Sequence, residues 1–336
     1  MRTTAKFRDP TSWYHLVLAV DSTQGTAANR VKMYVNGSEV TSFADSSYPS
    51  QNYDFEINRN VPQYIGWNTF NFMDGYMAEI NFIDGLQLDA SYFGFTEFQT
   101  GLWRPKGYFG SYNTNGFRLD FSDNCATTAV TLGKDRSGQG NDYTPNNFLV
   151  SAGVSNDSLI DTPTNTFCTL NTLTKDSNTT LSDGNLQAAG SAGNAYNTNT
   201  QGTFAESSGK WYYEVTMLGT VAGQSSGNDH NGFGWGEKSS PNDTTSPTSI
   251  ANALFYQETG WYKNFGGSKS NSSQVINQGD VLSVAVDLDA NTFVFRRNNV
   301  SVLSGTIGGT AGRELFPVNL SYDHQYGEMH FNFGQK

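Results

Sequence analysis

The sequence predicts an all-β protein built from antiparallel sheets. Three features of the 336 residues indicate this class: aromatic residues make up 14%, glycine occurs 35 times, and charged residues make up only 15%. Aromatic side chains are favoured in strands and glycine in the turns between them, whereas helical bundles need alanine, leucine, glutamate and lysine in bulk. The length is sufficient for two domains of ordinary size.

The charge and the cysteine content restrict the classes of partner. The net charge is −11, and an acidic surface repels phosphate backbones, so we expect no nucleic-acid partner. No apolar run approaches the ~18 residues of a membrane span, and no secretory signal opens the chain, so we expect no membrane insertion. The two cysteines, Cys125 and Cys168, are too few for a disulfide framework, and we expect free, partly buried thiols.

Three strand patterns lie in the first 90 residues. Residues 13–21 read as a strand that is buried on both faces, and residues 30–40 alternate before the pair Asn36-Gly37. An Asn-Gly pair between alternating strands favours a tight hairpin, because both turn positions need positive φ. One face of a third strand at residues 74–84 is expected to carry Tyr76, Ala78, Ile80 and Phe82.

Together these patterns resemble a LamG, or concanavalin A-like, domain across roughly residues 5–90. The resemblance rests on residues 13–17, 34–37, 65–66 and 74–80. Only the C-terminal half of such a sandwich is present, so the resemblance implies an incomplete sandwich at residues 1–90. Either the chain is a fragment, or a partner chain supplies the missing strands and covers the open sheet edge.

An aromatic-rich connector is predicted at residues 91–110, packed between the domains, with a short helix near residues 90–97. The second domain is predicted at residues 111–336. It opens with an alternating strand whose Phe117, Leu119 and Phe121 point inward, followed by a glycine-rich turn that starts at Asp135.

The last third of the chain resembles the SPRY family. The carrying segments follow the family's order, at residues 209–215, 260–264, 279–289, 293–299, 315–318 and 331–334. The resemblance implies a second antiparallel β-sandwich of the concanavalin A-like, jelly-roll type. It also implies a recognition module that binds partners through its loops and catalyses nothing.

The order of these parts along the chain is similar to that of the C-terminal part of bacteriophage virion proteins, especially tail-fibre-like ones. This resemblance implies a non-enzymatic structural protein of the virion, assembled in the host cytoplasm. Its expected partners are other virion proteins and a host surface polysaccharide or protein, and it is expected to be a homo-oligomer. A capsid decoration or cement protein is the alternative.

A polysaccharide-degrading enzyme with a laminarinase-like sandwich is a further alternative. Such enzymes carry Glu-x-Asp-x-(x)-Glu on one strand, with the two catalytic carboxylates about 5–5.5 Å apart. Here Glu79 would be the nucleophile, but Asn81 replaces the helper carboxylate and Asp84 replaces the acid. Two of the three positions depart from the pattern, so we expect an ordinary strand and no catalytic residue.

The candidate ligand contacts are aromatic and polar residues in predicted loops or near them. Aromatic faces stack on the C–H faces of sugars, although packing in the core is the alternative role for each. The candidates are Trp67, Trp235, Trp261, Tyr262, His230 and Asn231.

Asp135 and Asp142 are candidate calcium ligands, and no other cofactor is expected. They supply oxygen atoms on a tight glycine-rich turn, as Ca²⁺ prefers, but no glutamate closes the loop as in an EF-hand. The turn also works without a metal, because the Asp135 carboxylate can accept backbone N–H groups. The sequence leaves both interpretations open.

Overall fold

The fold is all-β and antiparallel in a computed structural model of the chain, as the composition predicts. The structure describes residues 1–9, 11–68, 70–73, 75–190, 199–219, 231–237, 253–257, 260–268, 270–308, 313–321 and 328–336. These residues contain two short 3₁₀ helices and no α-helix, and none of their helices has the length and apolar character needed to cross a membrane. The chain forms two compact units, Met1–Thr166 and Phe167–Lys336.

The N-terminal unit consists of short antiparallel ladders. The strands are β1 Arg2–Thr3, β2 Leu16–Val20, β3 Val31–Val35, β4 Ser38–Glu39, β5 Phe43–Asp45, β6 Trp67–Asn68, β7 Asn71–Phe72, β8 Ile80–Phe82, β9 Gly94–Thr96, β10 Trp103–Pro105 and β11 Phe117–Leu119. β1 pairs with β5, β6 with β7, β8 with β11 and β9 with β10, and a three-stranded sheet has the order β2-β3-β4. The 3₁₀ helices are Ala27–Asn29 and Ala90–Tyr92. A small core of Ala19, Tyr34 and Ala90 packs against Val17 and Trp103.

The predicted hairpin at Asn36-Gly37 is confirmed. β3 and β4 pair through Val35 and Ser38, and the two turn residues have φ values of 47° and 80°. A side chain at Gly37 would place its Cβ 2.2 Å from the ring of Trp103, so glycine is required for space as well as for conformation.

Two expectations for the N-terminal unit are corrected. The strand expected at residues 13–21 covers Leu16–Val20 and is not buried on both faces, because the side chains of Leu16 and Leu18 are 69% and 62% exposed. The strand expected at residues 74–84 is shortened to Ile80–Phe82, because Glu79 has a φ of 52°, which ends an extended conformation.

The boundary between the units also differs from the predicted one at residues 110 and 111. β11 pairs with β8, and Leu119 forms a β-bridge with Asp135, so residues 111–166 belong to the N-terminal unit. The predicted connector at residues 91–110 contains the β9–β10 hairpin of that same unit. The inward positions of Phe117 and Leu119 are confirmed by their burial, whereas the strand ends before Phe121.

The C-terminal unit is a two-layer sandwich. Its strands are β12 Thr179–Ser182, β13 Gln187–Gly190, β14 Thr200–Gln201, β15 Lys210–Met217, β16 Asn231–Gly236, β17 Ala253–Gln257, β18 Trp261–Asn264, β19 Ser270–Asn271, β20 Val281–Asp287, β21 Thr292–Arg297, β22 Val300–Thr306, β23 Phe316–Ser321 and β24 Glu328–Asn332. One sheet has the order β12-β13-β24-β15-β20-β21-β22, and the other has the order β14-β23-β16-β17-β18-β19.

The core of the C-terminal unit lies between these two sheets. Alternate residues of β15 and β20 point inward, and Tyr213, Val215 and Val284 are each at most 1% exposed. They meet inward side chains of the second sheet, such as Phe233. The two cysteines are free, with Cys125 exposed and Cys168 buried.

Candidate functional site

An exposed cluster of aromatic rings in contact with one another lies at the β6–β7 hairpin of the N-terminal unit. Trp67 pairs with Phe72 across the hairpin, and their rings stack with centroids 6.4 Å apart. The rings of Tyr64 and Trp67 are nearly perpendicular, with centroids 4.5 Å apart and an interplanar angle of 83°. Tyr64 is 60% exposed and Phe72 is 77% exposed, while Trp67 is half-buried between them. We call Tyr64, Trp67 and Phe72 the aromatic patch.

Local hydrogen bonds hold the aromatic patch in shape. Asn71 N donates to Asn68 Oδ1 at 2.9 Å, which closes the turn, and Met73 N donates to Gly66 O at 2.7 Å behind it. The exposed amide side chains of Asn68 and Asn71 therefore sit at the tip of the hairpin that carries the rings. Exposed apolar groups concentrated in this way are typical of binding surfaces.

Two predicted contacts of the C-terminal unit are corrected. Trp235 lies on the inward face of β16, is 3% exposed, and packs 5.7 Å from Tyr213. Asn231 is 2% exposed. Both side chains are parts of the sandwich interior, so neither presents a surface to a ligand. The neighbouring candidate His230 lies outside the described residues.

Trp261 and Tyr262 keep partly exposed side chains at the start of β18. Tyr262 packs against the main core, whereas Trp261, one position earlier in the strand, lies on the opposite face of the sheet. Gly260 precedes them with a φ of 82°, and a Cβ there would lie 2.6 Å from Gln274 O. The ligand role of Trp261 and Tyr262 stays a prediction.

The Asp135 turn is held by hydrogen bonds to the carboxylate. One oxygen accepts the backbone N–H of Arg118 and of Ser137, each at 2.8 Å, and the other accepts Asn141 N at 2.9 Å. Asp142 Oδ1 in turn accepts Asp135 N at 2.8 Å. These bonds are those that the metal-free interpretation requires. In the described part of the chain, no group of three or more histidine, cysteine, aspartate or glutamate side chains is placed to hold a metal ion.

The electrostatics of Asp135 follow from this arrangement. Burial acts to raise the pKa of the Asp135 carboxyl, but the hydrogen bonds from Arg118, Ser137 and Asn141 outweigh burial and lower that pKa below its ordinary value of 3.8. The carboxylate is therefore ionised at neutral pH and acts as the organising acceptor of the turn.

The carboxylates of the enzyme alternative are engaged in structural contacts. Glu79 forms a bidentate ion pair with Arg118, at 2.7 and 3.0 Å. Asn81, at the helper position, accepts a hydrogen bond from the hydroxyl of Tyr112 at 2.6 Å. Asp84 accepts the side-chain amide of Asn58 at 2.8 Å. Each residue of the Glu79-Asn81-Asp84 set therefore has a structural partner, and the Glu79 side chain stays 49% exposed beside Arg118.

A shallow groove of about 270 Å³ lies on the C-terminal unit, over the ends of β15, β20 and β21. Its walls include the exposed rings of Trp211 and Tyr212 and the apolar side chain of Val294. Lys210 and Asp287 form an ion pair of 3.2 Å at its rim. The groove therefore has a largely apolar lining with one ion pair at its rim.

The candidate residues named from the sequence did not include Tyr64 and Phe72, which complete the aromatic patch around Trp67. The available signal was a pair of aromatic residues, Trp67 and Phe72, on either side of a short segment that begins and ends with asparagine. This pattern fits two paired strand ends with aromatic residues opposite each other.

Comparison with known proteins gives a match for one part of the chain. Residues 210–336 match the SPRY domain family. The structure is similar to the crystal structure of the SPRY domain of human HERC1, with a TM-score of 0.39 and 13% identity over 50% of this chain and 99% of that chain. A crystal structure of a human SPRY domain matches with a TM-score of 0.35 and 13% identity, over 47% of this chain and 97% of that chain.

The structure of stonustoxin also matches, with a TM-score of 0.37 and 18% identity, over 49% of this chain and 27% of that chain. No curated protein matches the sequence. A SPRY domain indicates a protein-binding or interaction module. By the match to the family, the SPRY domain of this chain covers residues 210–336, within the C-terminal unit.

Proposed function

We propose that the chain is a non-enzymatic binding protein of a virion appendage, similar to a tail fibre, that recognises a host surface glycan. The observation that carries the proposal is the aromatic patch of Tyr64, Trp67 and Phe72. The virion assignment is supported by the order of motifs along the sequence, and the glycan assignment by the chemistry of the patch.

The patch offers the two kinds of contact that a sugar ring needs. A pyranose has C–H faces that stack on aromatic rings, and Tyr64 and Phe72 present large exposed ring surfaces. Its hydroxyl groups bond to amides, and Asn68 and Asn71 lie at the tip of the same hairpin. The patch carries no charged side chain, so it favours a neutral glycan over a phosphate-rich ligand.

A binding role without catalysis is supported by the state of the carboxylates. The bidentate pair between Glu79 and Arg118 holds the candidate nucleophile in a structural contact. The SPRY domain suits a second role, in which the C-terminal unit docks on another virion protein through the groove beside Tyr212.

The test is a binding assay of the full chain against purified surface polysaccharides of candidate hosts, with reducing ends assayed in the same samples. We expect saturable binding without sugar release. Trp67→Ala removes the central ring of the patch and should weaken binding about tenfold or more, equivalent to about 1.4 kcal/mol. The matched control is Phe98→Ala, because Phe98 is 100% exposed in the same unit but lies outside the patch.

Binding that is equally strong in wild type and Trp67→Ala would refute the role of the patch. Binding that falls equally in both variants would indicate a nonspecific apolar effect. Release of reducing ends that Glu79→Gln abolishes would instead establish the enzyme alternative.

The second candidate function is a capsid decoration or cement protein. It is favoured by the large exposed apolar side chains of the N-terminal unit, such as Leu16 and Leu18, which suit contact with protein. Host-cell binding by the free protein separates the two functions, since a cement protein would bind capsids and not cells.

A further inference from the structure

The backbone hydrogen bonds beside β2 fix which of its residues face outward. Asp21 N donates to Arg30 O at 2.9 Å at one end of the β2–β3 ladder, and Asn36 N donates to His15 O at 2.8 Å at the other. The two residues on the β2 side of these bonds, His15 and Asp21, are both odd-numbered. Because backbone groups alternate in an antiparallel pair, the even-numbered positions of β2 turn their N–H and C=O groups away from β3.

These even-numbered positions are Leu16, Leu18 and Val20. Among the described residues, no other strand pairs with β2 on that side, and no hydrogen bond uses the backbone groups of these three residues. Leu16 and Leu18 are also 69% and 62% exposed. Unpaired backbone and exposed apolar side chains therefore occur at the same positions.

The open part of this edge is short and unprotected. Ser22, the next outward-facing residue, already accepts Asn52 N at 2.8 Å, so the free edge covers residues 16–20. Natural edge strands are usually protected from pairing by lysine, proline or a β-bulge. Residues 16–20 contain no proline and no charge, and the register of β2 with β3 is regular.

We infer that β2 pairs with β2 of a second copy of this chain, antiparallel across a two-fold axis. Only even-numbered residues turn their backbone groups outward, so an even-numbered residue of one copy pairs with an even-numbered residue of the other. The midpoint of the open edge is Leu18, so the two-fold axis passes beside Leu18. Leu18 then lies opposite the partner's Leu18, and Leu16 lies opposite the partner's Val20. The pairing forms about six backbone hydrogen bonds and joins two three-stranded sheets into one.

The second copy is favoured as the occupant by the complementarity of this register. Apolar residues meet apolar residues along the whole contact, and at each end His15 lies opposite the partner's Asp21. No like charges are brought together, although the chain as a whole carries −11. The inference does not depend on the glycan proposal, because the aromatic patch lies on other strands.

The first test is analytical ultracentrifugation of the full chain over a range of concentrations. We expect a monomer–dimer equilibrium in wild type. Leu18→Lys places two ammonium groups opposite each other on the axis and should raise the dissociation constant about a hundredfold or more. The matched control is Val300→Lys, because Val300 is 67% exposed on β22, the edge strand of the other unit, and should leave the equilibrium unchanged.

A disulfide test reads the register directly and does not depend on a charged variant. In a Cys125→Ser background, Leu18→Cys should form a covalent dimer under mild oxidation, because directly opposite residues have Cα atoms about 5.5 Å apart. Leu16→Cys alone should not, since its counterpart in this register is Val20. A monomeric wild type, a Leu18→Lys variant that still dimerises, or cross-linking through Leu16→Cys in preference to Leu18→Cys would each overturn the inference.

Discussion

Replacement of Asp135 by alanine removes the acceptor that organises a buried turn of the N-terminal unit. Asp135 is 6% exposed, and its carboxylate accepts the backbone N–H groups of Arg118, Ser137 and Asn141. Alanine leaves these donors without a partner, whereas asparagine keeps one oxygen but turns an amide toward them.

The expected loss of stability follows from the free energy of leaving these N–H donors unpaired. Each hydrogen bond to a charged acceptor contributes about 1.5–3 kcal/mol, and a turn near the surface lets water satisfy part of the deficit. We therefore expect the free energy of unfolding to fall by about 3–4 kcal/mol in Asp135→Ala and by about 2 kcal/mol in Asp135→Asn. For a unit of this size, the larger loss lowers Tm by about 6–16 °C.

The assay is thermal unfolding of the full chain by calorimetry, in EDTA and in millimolar calcium. The transition of the N-terminal unit should shift in both variants, and wild type should give the same Tm with and without calcium. Asp89→Asn is the control, because Asp89 accepts Ser91 N at 2.8 Å in a similar turn but is exposed, so its loss should be small.

The pH dependence of wild type adds a second readout. The pKa of Asp135 is lowered by its hydrogen bonds in the folded state, so its ionised form stabilises the fold above the ordinary value of 3.8. That stability is lost as the pH falls through the lower folded value, and Asp135→Asn should lose less. A wild-type Tm that rises by several degrees with calcium, and an Asp135→Asn variant that does not respond, would refute the metal-free reasoning.

Three further predictions concern other contacts. Gly234→Ala should destabilise the C-terminal unit by about 3 kcal/mol or more in urea unfolding, because its Cβ would lie 2.0 Å from Leu254 O; a loss below about 1 kcal/mol would contradict the close approach. Asp280→Asn should lower the free energy of unfolding by about 2 kcal/mol, since the carboxylate accepts a hydrogen bond from Arg297 Nε at 2.6 Å. Burial acts to raise the pKa of Asp280, but its hydrogen bonds lower that pKa overall, so wild type should lose stability as the pH falls below 3.8. Equal acid sensitivity of wild type and Asp280→Asn would argue against this. Glu79→Gln should leave reducing-end release at the wild-type level, measured with candidate polysaccharides, because the Glu79 carboxylate serves an ion pair.

Local sequence was sufficient wherever a few neighbouring residues carry the structural information. The Asn36-Gly37 turn requires positive φ at both positions, and few residues other than asparagine and glycine adopt it at low cost. In the turn after β20, Asn291 likewise has a positive φ, of 53°, and Asp287 accepts a hydrogen bond from Ala290 N. Such turns could be placed without knowledge of what they pack against.

Burial could not be assigned in the same way. From the sequence, Trp235 is a candidate ligand contact in a loop or near one, but β16 pairs with β17 and β23, and alternation places its ring between the sheets. Leu16 and Leu18 read as core residues, but in the described structure no second layer covers their face of the sheet. In both cases the outcome depends on strands that are distant in sequence.

The sequence by itself determined the all-β class, the hairpin turns, the SPRY pattern of the last third and the two alternatives for Asp135. Tertiary structure decided that residues 111–166 join the N-terminal unit, that Glu79 pairs with Arg118, and that Trp67 shares a surface with Tyr64 and Phe72. The physical reason is that turn conformations and strand alternation are set by short-range sterics, whereas exposure, ion pairing and ring clusters depend on which distant strands meet.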